Sequence, residues 1–254
     1  MPIGKLLRMP APVRGKTDAG KRFSLDPEMI LNVLEHARPL GHHENAKELN
    51  LGFGFLYYGL VRTLRPKHVV VIGSGFGFSV TCLALGLKDN ARGQLTFVDP
   101  SYSVLTDGPF KTMGGTSQWD DPKKVETHFA RFGVEHLVTH YRMRSDEFFA
   151  RYEEQGLPSI DLAFIDGSHA YHDVRHDFIS CVRRSHKDGY LLLHDTNIYI
   201  REIVRHAGVK RWLKTIERKK SLFELVDFPF ASGLAIVRVL NDEACECLES
   251  LQAE

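Results

Sequence analysis

The chain has 254 residues, of which 43% are hydrophobic and 26% charged, and its formal net charge is +1. This length and composition favour one main domain with a sizeable core. The near-neutral charge provides no overall field that would attract nucleic acid or an anionic membrane, so a small-molecule partner is expected. Four scattered cysteines argue against a disulfide framework and predict a reducing, cytoplasmic setting.

The first 22 residues are basic but contain no apolar run long enough for a signal peptide or a membrane span. We expect residues 1–50 to form an N-terminal arm and helical extension, and residues 51–254 to form the main domain. The arm is also a candidate contact for a homodimer.

From residue 26 the predicted elements follow in chain order. Helices are expected from Asp26 and over 53–64, before short β-branched segments begin to alternate with amphipathic ones. The predicted strands are 69–72, 95–98, 137–141, 162–165 and 190–194, and the predicted helices between them are 78–87, 122–132, 145–154 and 172–184. This alternation predicts a doubly wound, Rossmann-like α/β fold, with a mostly parallel seven-stranded sheet and helices on both faces.

Two segments fall outside this alternation. Residues 222–228 and 233–240 have hairpin spacing and predict an antiparallel C-terminal edge. Residues 101–121 exceed an ordinary connection and are expected to form a lid or binding loop. The basic residues of 201–220 interleave with apolar ones at near-helical spacing, which favours an amphipathic surface helix over an RNA-binding segment.

A glycine turn follows the first, fully apolar strand. Gly73, Gly75 and Gly77 precede a predicted helix, where glycine allows a sharp turn and close approach of a ligand. A dinucleotide fingerprint would have a small residue where Phe78 stands. Asp99 ends the next predicted strand, and its carboxylate can accept hydrogen bonds from both hydroxyls of a ribose. The pattern favours an adenosine-containing ligand, and the alternative is a turn without a ligand.

The segment Val70-Val71-Ile72-Gly73-Ser74-Gly75-Phe76-Gly77, with Asp99 beyond it, resembles the cofactor site of class I S-adenosylmethionine-dependent methyltransferases. A second pair of blocks, residues 161–171 and 191–197, resembles the metal-assisted small-molecule O-methyltransferases of the macrocin and catechol types, methyltransferase family 24. The resemblance implies that the glycine turn, including Ser74, holds the methionine part of the cofactor and that Asp99 holds the ribose. By the same resemblance Met143, Arg144 and Ser145 flank the adenine.

Asp166 and Asp195 end two predicted parallel strands and should therefore face one crevice. Two neighbouring carboxylates favour a hard cation such as Mg²⁺ between them. The resemblance assigns metal ligation to Asp166 and Asp195, with Thr196 at the position that often supplies a third ligand. The alternative for Asp195 is a helix cap.

His169 stands three residues after Asp166, where the resembling enzymes carry the base that removes the acceptor's proton. Its alternative role is a hydrogen bond at the start of a helix. The expected function is O-methylation of a small hydroxylated molecule, with His169 and Asp166 as catalytic residues. Two rivals stay open: an RNA methyltransferase, and a non-catalytic member of the fold that binds a cofactor or a partner.

Overall fold

A computed structural model of the chain describes residues 23–101, 117–197 and 208–244. Strands and helices alternate within these residues, as the sequence predicts. The strands are β1 (His68–Ile72), β2 (Gln94–Val98), β3 (Val138–Tyr141), β4 (Leu162–Ile165), β5 (Tyr190–His194), β6 (Phe223–Phe228) and β7 (Leu234–Val239). The helices are α1 (Pro27–His36), α2 (Phe53–Leu64), α3 (Phe78–Asn90), α4 (Pro122–Ala130), α5 (Ser145–Ala150), α6 (Tyr171–Arg183) and α7 (Val209–Glu217).

The strands form one seven-stranded sheet in the order β3-β2-β1-β4-β5-β7-β6. The first five strands pair in parallel, whereas β7 runs antiparallel to both β5 and β6. The predicted fold is therefore confirmed, including the antiparallel C-terminal pair. Ile72 lies level with Val98 on one side and with Ile165 on the other. The residues that follow these strands consequently meet at one edge of the sheet, where open α/β sheets bind ligands.

Side chains of β1 alternate between two buried clusters, one on each face of the sheet. Val69 and Val71 belong to the first cluster, and Val70 and Ile72 belong to the second. Because both faces of β1 are covered, its sequence reads as a continuous apolar run instead of an alternating one. Helix α1 contributes to the first cluster through Ile30 and Val33, so this part of the N-terminal extension shares the core of the main domain.

Helix ends differ modestly from the prediction. α3 continues to Asn90, past the predicted residue 87, whereas α4 and α5 end before the predicted residues 132 and 154. After α5 the backbone bonds of Arg151 and Tyr152 reach back three residues, to Phe148 and Phe149, so the apolar pattern continues through turns rather than through α-helix.

Helix α7 confirms the amphipathic interpretation for its part of the basic stretch, since Val209, Trp212, Leu213 and Ile216 are buried. No helix in the described parts of the chain is long and apolar enough to cross a bilayer. The predicted arm at residues 1–22, residues 102–116 of the predicted lid loop and residues 198–207 lie outside the described ranges.

Candidate active site

Two glycines of the turn, Gly73 and Gly77, pack against other residues of the protein, whereas Gly75 faces open space. A Cβ atom at Gly73, where φ is +70°, would lie 2.4 Å from the carbonyl oxygen of Asp166. A Cβ at Gly77 would lie 2.9 Å from His128 Nε2. A Cβ at Gly75 would meet no heavy atom within 4 Å, although φ is +44° there. The turn is thus fixed by β4 and α4 and presents Gly75 to open space, as a backbone that cradles a ligand requires.

Asp99 follows β2 beside this turn. One of its oxygens accepts a hydrogen bond from the Ser101 N–H at 2.7 Å. Burial raises the pKa of this carboxyl to about 6, although N–H groups of Ser101 and Ser74 oppose the rise. The Ser74 hydroxyl itself is buried and bonds to the Ser79 hydroxyl at 2.7 Å. The carboxyl therefore lies where the sequence predicts it, at the edge of the sheet next to the glycines.

Trp119 links the predicted lid loop to the glycine turn. Its indole Nε1 donates to the carbonyl oxygen of Gly75 at 3.0 Å, and its backbone N–H donates to Ser101 Oγ at 2.9 Å. The ring is 1% exposed. Sequence reasoning placed Trp119 in a loop but did not find this contact, because only the folded chain brings residues 75, 101 and 119 together.

The three residues predicted beside the adenine follow β3. Met143 N–H bonds back to Tyr141 O, and the exposed Arg144 pairs with Asp146 at 3.0 Å. The Ser145 hydroxyl donates a hydrogen bond to the buried carboxyl group of Asp177 on α6. Burial raises the pKa of Asp177 to about 7. These residues stand at the same edge of the sheet as Asp99, on the side of the neighbouring strand β3.

Asp166, His169 and Asp195 come together beside the turn. His169 Nε2 lies 2.8 Å from Asp195 Oδ2 and 3.7 Å from Asp166 Oδ1. The side chains are 16%, 16% and 9% exposed for His169, Asp166 and Asp195, so they are shielded but accessible. Asp195 has a left-handed backbone, with φ of +63°. Aspartate adopts this region more readily than most non-glycine residues.

His194 and His42 complete the cluster, and sequence reasoning missed both. His194 Nδ1 lies 3.2 Å from Asp166 Oδ1 and 3.3 Å from Asp195 Oδ1. The His42 ring stacks on the His194 ring at 4.2 Å between centroids, and His42 Nδ1 bonds to the Tyr57 hydroxyl at 3.0 Å. His194 directly precedes Asp195, which is a signal that could have found it. His42 lies outside every motif, so only the fold reveals it.

The charges in this cluster are balanced by imidazoles. Burial alone would raise the pKa of Asp166 and of Asp195, but His194 and His169 hold both below the ordinary value. Burial would lower the pKa of His194, yet Asp166 and Asp195 raise it above the ordinary value. Burial, and next the neighbouring His194, lower the pKa of His42 to about 3, so His42 is neutral at physiological pH.

Thr196, the residue after Asp195, is hydrogen-bonded to the C-terminal hairpin. Its hydroxyl donates to Asp227 Oδ1 at 3.1 Å and lies against Gly233 of the β6–β7 turn. The hydroxyl proton is therefore used by the antiparallel hairpin, and ligation of a metal by Thr196 stays a prediction. Thr196 is 2% exposed, so its polar atom needs a partner within the fold, which Asp227 supplies.

Asp166, Asp195 and the histidines beside them have the chemistry of a cation site. Potential ligand atoms of Asp166, His169 and Asp195 all lie within 4.8 Å of one another, and those of His42, Asp166 and His194 form a second such group. Carboxylate oxygens and imidazole nitrogens are common ligands of divalent ions. The donor set among the described residues therefore fits a divalent cation at Asp166 and Asp195.

Comparisons with known proteins agree with this geometry. The model of a methyltransferase domain, methyltransferase family 24, matches residues 70–196, which is half of the chain. An uncharacterized protein of Sinorhizobium fredii, y4gI, is 25% identical over 178 residues. That match includes 70% of this chain but only 18% of y4gI, so the chain spans less than a fifth of that relative.

Two solved structures share the fold. The O-methyltransferase TomG from Streptomyces achromogenes, in complex with SAM, is 15% identical with a TM-score of 0.59, over 87% of this chain and 92% of TomG. An O-methyltransferase from Bacillus cereus, in complex with SAH, is 15% identical with a TM-score of 0.58, over 88% and 93% of the two chains. With the family match across both motif blocks, the chain belongs to methyltransferase family 24 of the class I S-adenosylmethionine-dependent methyltransferases.

Proposed function

We propose that this protein transfers the methyl group of S-adenosylmethionine to a hydroxyl oxygen of a small acceptor, with His169 as the base. The observation that carries the proposal is the position of His169 Nε2. This atom stands between two acids, beside a glycine turn whose central residue faces open space. TomG and the Bacillus cereus protein, which share the fold, are O-methyltransferases by name.

The cofactor would lie along Gly73, Ser74, Gly75 and Gly77, with its ribose at Asp99. Gly75 supports this placement because it leaves room at the backbone, and the ionised Asp99 supports it because a carboxylate accepts hydrogen bonds from two hydroxyls. Arg144 and Ser145 would border the adenine. The positively charged sulfonium of the cofactor makes its methyl group electrophilic before any contribution from the protein.

In the proposed reaction His169 Nε2 takes the proton of the acceptor hydroxyl. Asp195 Oδ2, at 2.8 Å, orients the imidazole and stabilises its protonated form, as a carboxylate does for other catalytic histidines. The acceptor oxygen attacks the methyl carbon in line, a C–O bond forms, and the S–C bond breaks to leave S-adenosylhomocysteine. The crevice contributes to catalysis mainly by holding the acceptor oxygen and the methyl group in line.

Asp166 and Asp195 would hold a divalent cation, Mg²⁺ in the resembling enzymes. When bound, such an ion lowers the pKa of an acceptor hydroxyl and fixes its position. The site's own residues perform the remaining work: the two acids place the hydroxyl, and His169 receives its proton. The expected acceptors are small hydroxylated molecules such as phenols, sugars or natural products.

The test uses S-adenosylmethionine with an isotopically labelled methyl group and a panel of hydroxylated acceptors. Labelled ether products and S-adenosylhomocysteine should form together. His169→Gln should lower turnover by about 10²-fold or more while cofactor affinity is retained. His172→Gln is the matched control, because His172 lies three residues after His169, at the start of α6, and is 79% exposed. Full turnover by His169→Gln would overturn the assignment of the base.

A further inference from the structure

An arginine lies against the glycine turn and has no acidic partner among the described residues. The guanidinium carbon of Arg38 is 4.5 Å from the centre of the Phe76 ring, and Phe76 is the turn residue between Gly75 and Gly77. The Phe76 ring is buried, whereas Arg38 is exposed. Within the described ranges the guanidinium forms no ion pair and no hydrogen bond, so its N–H donors are available to a ligand.

Helix α1 holds Arg38 at this place. The helix is fixed to the main domain, because Ile30 and Val33 are buried in the first cluster. Arg38 follows the C-cap residue Ala37, at the position where many helices carry glycine, and its φ is +43°. A side chain in this backbone conformation costs about 1 kcal/mol relative to glycine. Arg38 therefore extends from a packed helix to the glycine turn.

Other side chains that contact the turn add no positive charge there. His128 Nε2 would lie 2.9 Å from a Cβ on Gly77, but burial lowers the pKa of His128 to about 4, so its imidazole is neutral at physiological pH. The neutral indole of Trp119 donates to the carbonyl oxygen of Gly75. Of the Arg38, His128 and Trp119 side chains, only that of Arg38 carries a charge.

The two ends of the turn differ in charge, as do the two groups on the methionine part of the proposed cofactor. Asp99 and Asp166 follow the strands on either side of β1, and the Asp166 backbone touches the turn at Gly73. Their carboxylates attract the ammonium group of the methionine and repel its carboxylate. The guanidinium at Phe76 has the opposite effect, so the methionine carboxylate is favoured at the Phe76 end of the turn.

We infer that Arg38 binds the α-carboxylate of the cofactor's methionine and makes the site prefer ligands that carry this carboxylate. The inference rests on the proposed function for the presence of the cofactor. A guanidinium presents its N–H donors as a planar fork that matches a carboxylate. Stacking on the Phe76 ring leaves the edge of the guanidinium open for such a contact. Arg38 is thus a specificity-determining residue for the cofactor.

Calorimetry tests the inference with S-adenosylhomocysteine and with its decarboxylated analogue, in which hydrogen replaces the α-carboxylate. The wild-type protein should bind S-adenosylhomocysteine about 10-fold more tightly than the analogue. Arg38→Gln should lower the affinity for S-adenosylhomocysteine by about 10-fold and leave the affinity for the analogue unchanged. Arg38→Lys keeps the charge but not the planar fork, so its loss should be smaller.

Two further variants separate carboxylate binding from other effects. Arg38→Gly suits the positive φ, so it should melt near the wild-type temperature and still lose the affinity that Arg38→Gln loses. Arg131→Gln is the matched control, because Arg131 lines the same cavity of about 570 Å³ as Arg38 but directs its guanidinium to His36. It should bind both ligands like the wild type.

Three results would overturn the inference: equal affinity of the wild type for both ligands, the same loss for both ligands in Arg38→Gln, or an equal loss in Arg131→Gln. In each case S-adenosylhomocysteine still binds to the wild type, and the proposed methyl transfer stands. If the wild type binds neither ligand, the proposed function and the inference fail together.

Discussion

The carboxyl of Asp99 should make cofactor affinity depend on pH. Burial raises its pKa to about 6 in the cofactor-free protein, and the proposed ribose contact requires the ionised form. If only that form binds, the dissociation constant rises by a factor of one plus the ratio of protonated to ionised carboxyl. This factor is about 11 at pH 5 and close to one at pH 8, a change of roughly 1.4 kcal/mol in binding free energy.

Calorimetric titration with S-adenosylhomocysteine across this range checks the prediction, since this ligand lacks the sulfonium charge. Asp99→Asn is the control: it keeps an acceptor oxygen but does not titrate there, so its affinity should be lower at pH 8 and should change little toward pH 5. Equal wild-type affinities at both pH values would refute the assignment of Asp99 to the ribose. An unchanged pH profile in Asp99→Asn would assign the titration to another group.

Three further results are expected. The free energy of unfolding of Asp177→Asn should rise relative to that of the wild type by roughly 3 kcal/mol between pH 5 and pH 8. Burial raises the pKa of Asp177 to about 7, so the wild type loses the stability from the bound proton as pH rises. The same pH dependence of denaturant unfolding in both proteins would contradict this. Gly73→Ala should lower the free energy of unfolding by about 3 kcal/mol or more, because the new Cβ would contact the carbonyl oxygen of Asp166. Gly156→Ala, which has a similar φ but open space around it, should lower it by about 1 kcal/mol. Equal melting temperatures of the two variants would contradict the steric argument. Trp119→Phe should weaken cofactor binding about 5-fold, because it removes the hydrogen bond to the carbonyl oxygen of Gly75. An unchanged affinity in calorimetry would show that this hydrogen bond does not support cofactor binding.

Strand positions could be predicted from sequence because buried parallel strands carry unbroken β-branched runs. All five parallel strands lie where the pattern predicts them, within one residue at each end. Helix ends were less predictable, as at α5, where Arg151 and Tyr152 continue the apolar pattern through turn-type bonds. Periodicity reports which side chains are buried, but it does not distinguish an α-helix from successive turns that bury the same face.

The candidate site was predictable where it follows strand ends. Asp99, Asp166 and Asp195 are brought to one edge by strand register, which sequence order already implies. The partners of these residues were not predictable. Thr196 turns to Asp227 because of the hairpin, and His42 reaches His194 through a loop without a motif. Such contacts depend on long-range packing, which local patterns do not encode.

Calorimetry of S-adenosylhomocysteine binding to the wild-type protein and to Gly75→Leu tests the central claim most directly. Gly75 faces open space, so a leucine there should meet no protein atom and should fill the place proposed for the cofactor, at a cost of about 1 kcal/mol of backbone strain from the positive φ. Gly156→Leu is the control, since Gly156 also has a positive φ and no neighbouring atom within 4 Å. We predict binding by the wild type and Gly156→Leu and loss of binding in Gly75→Leu. Absence of binding by the wild type, or undiminished binding by Gly75→Leu, would contradict a cofactor site on this turn.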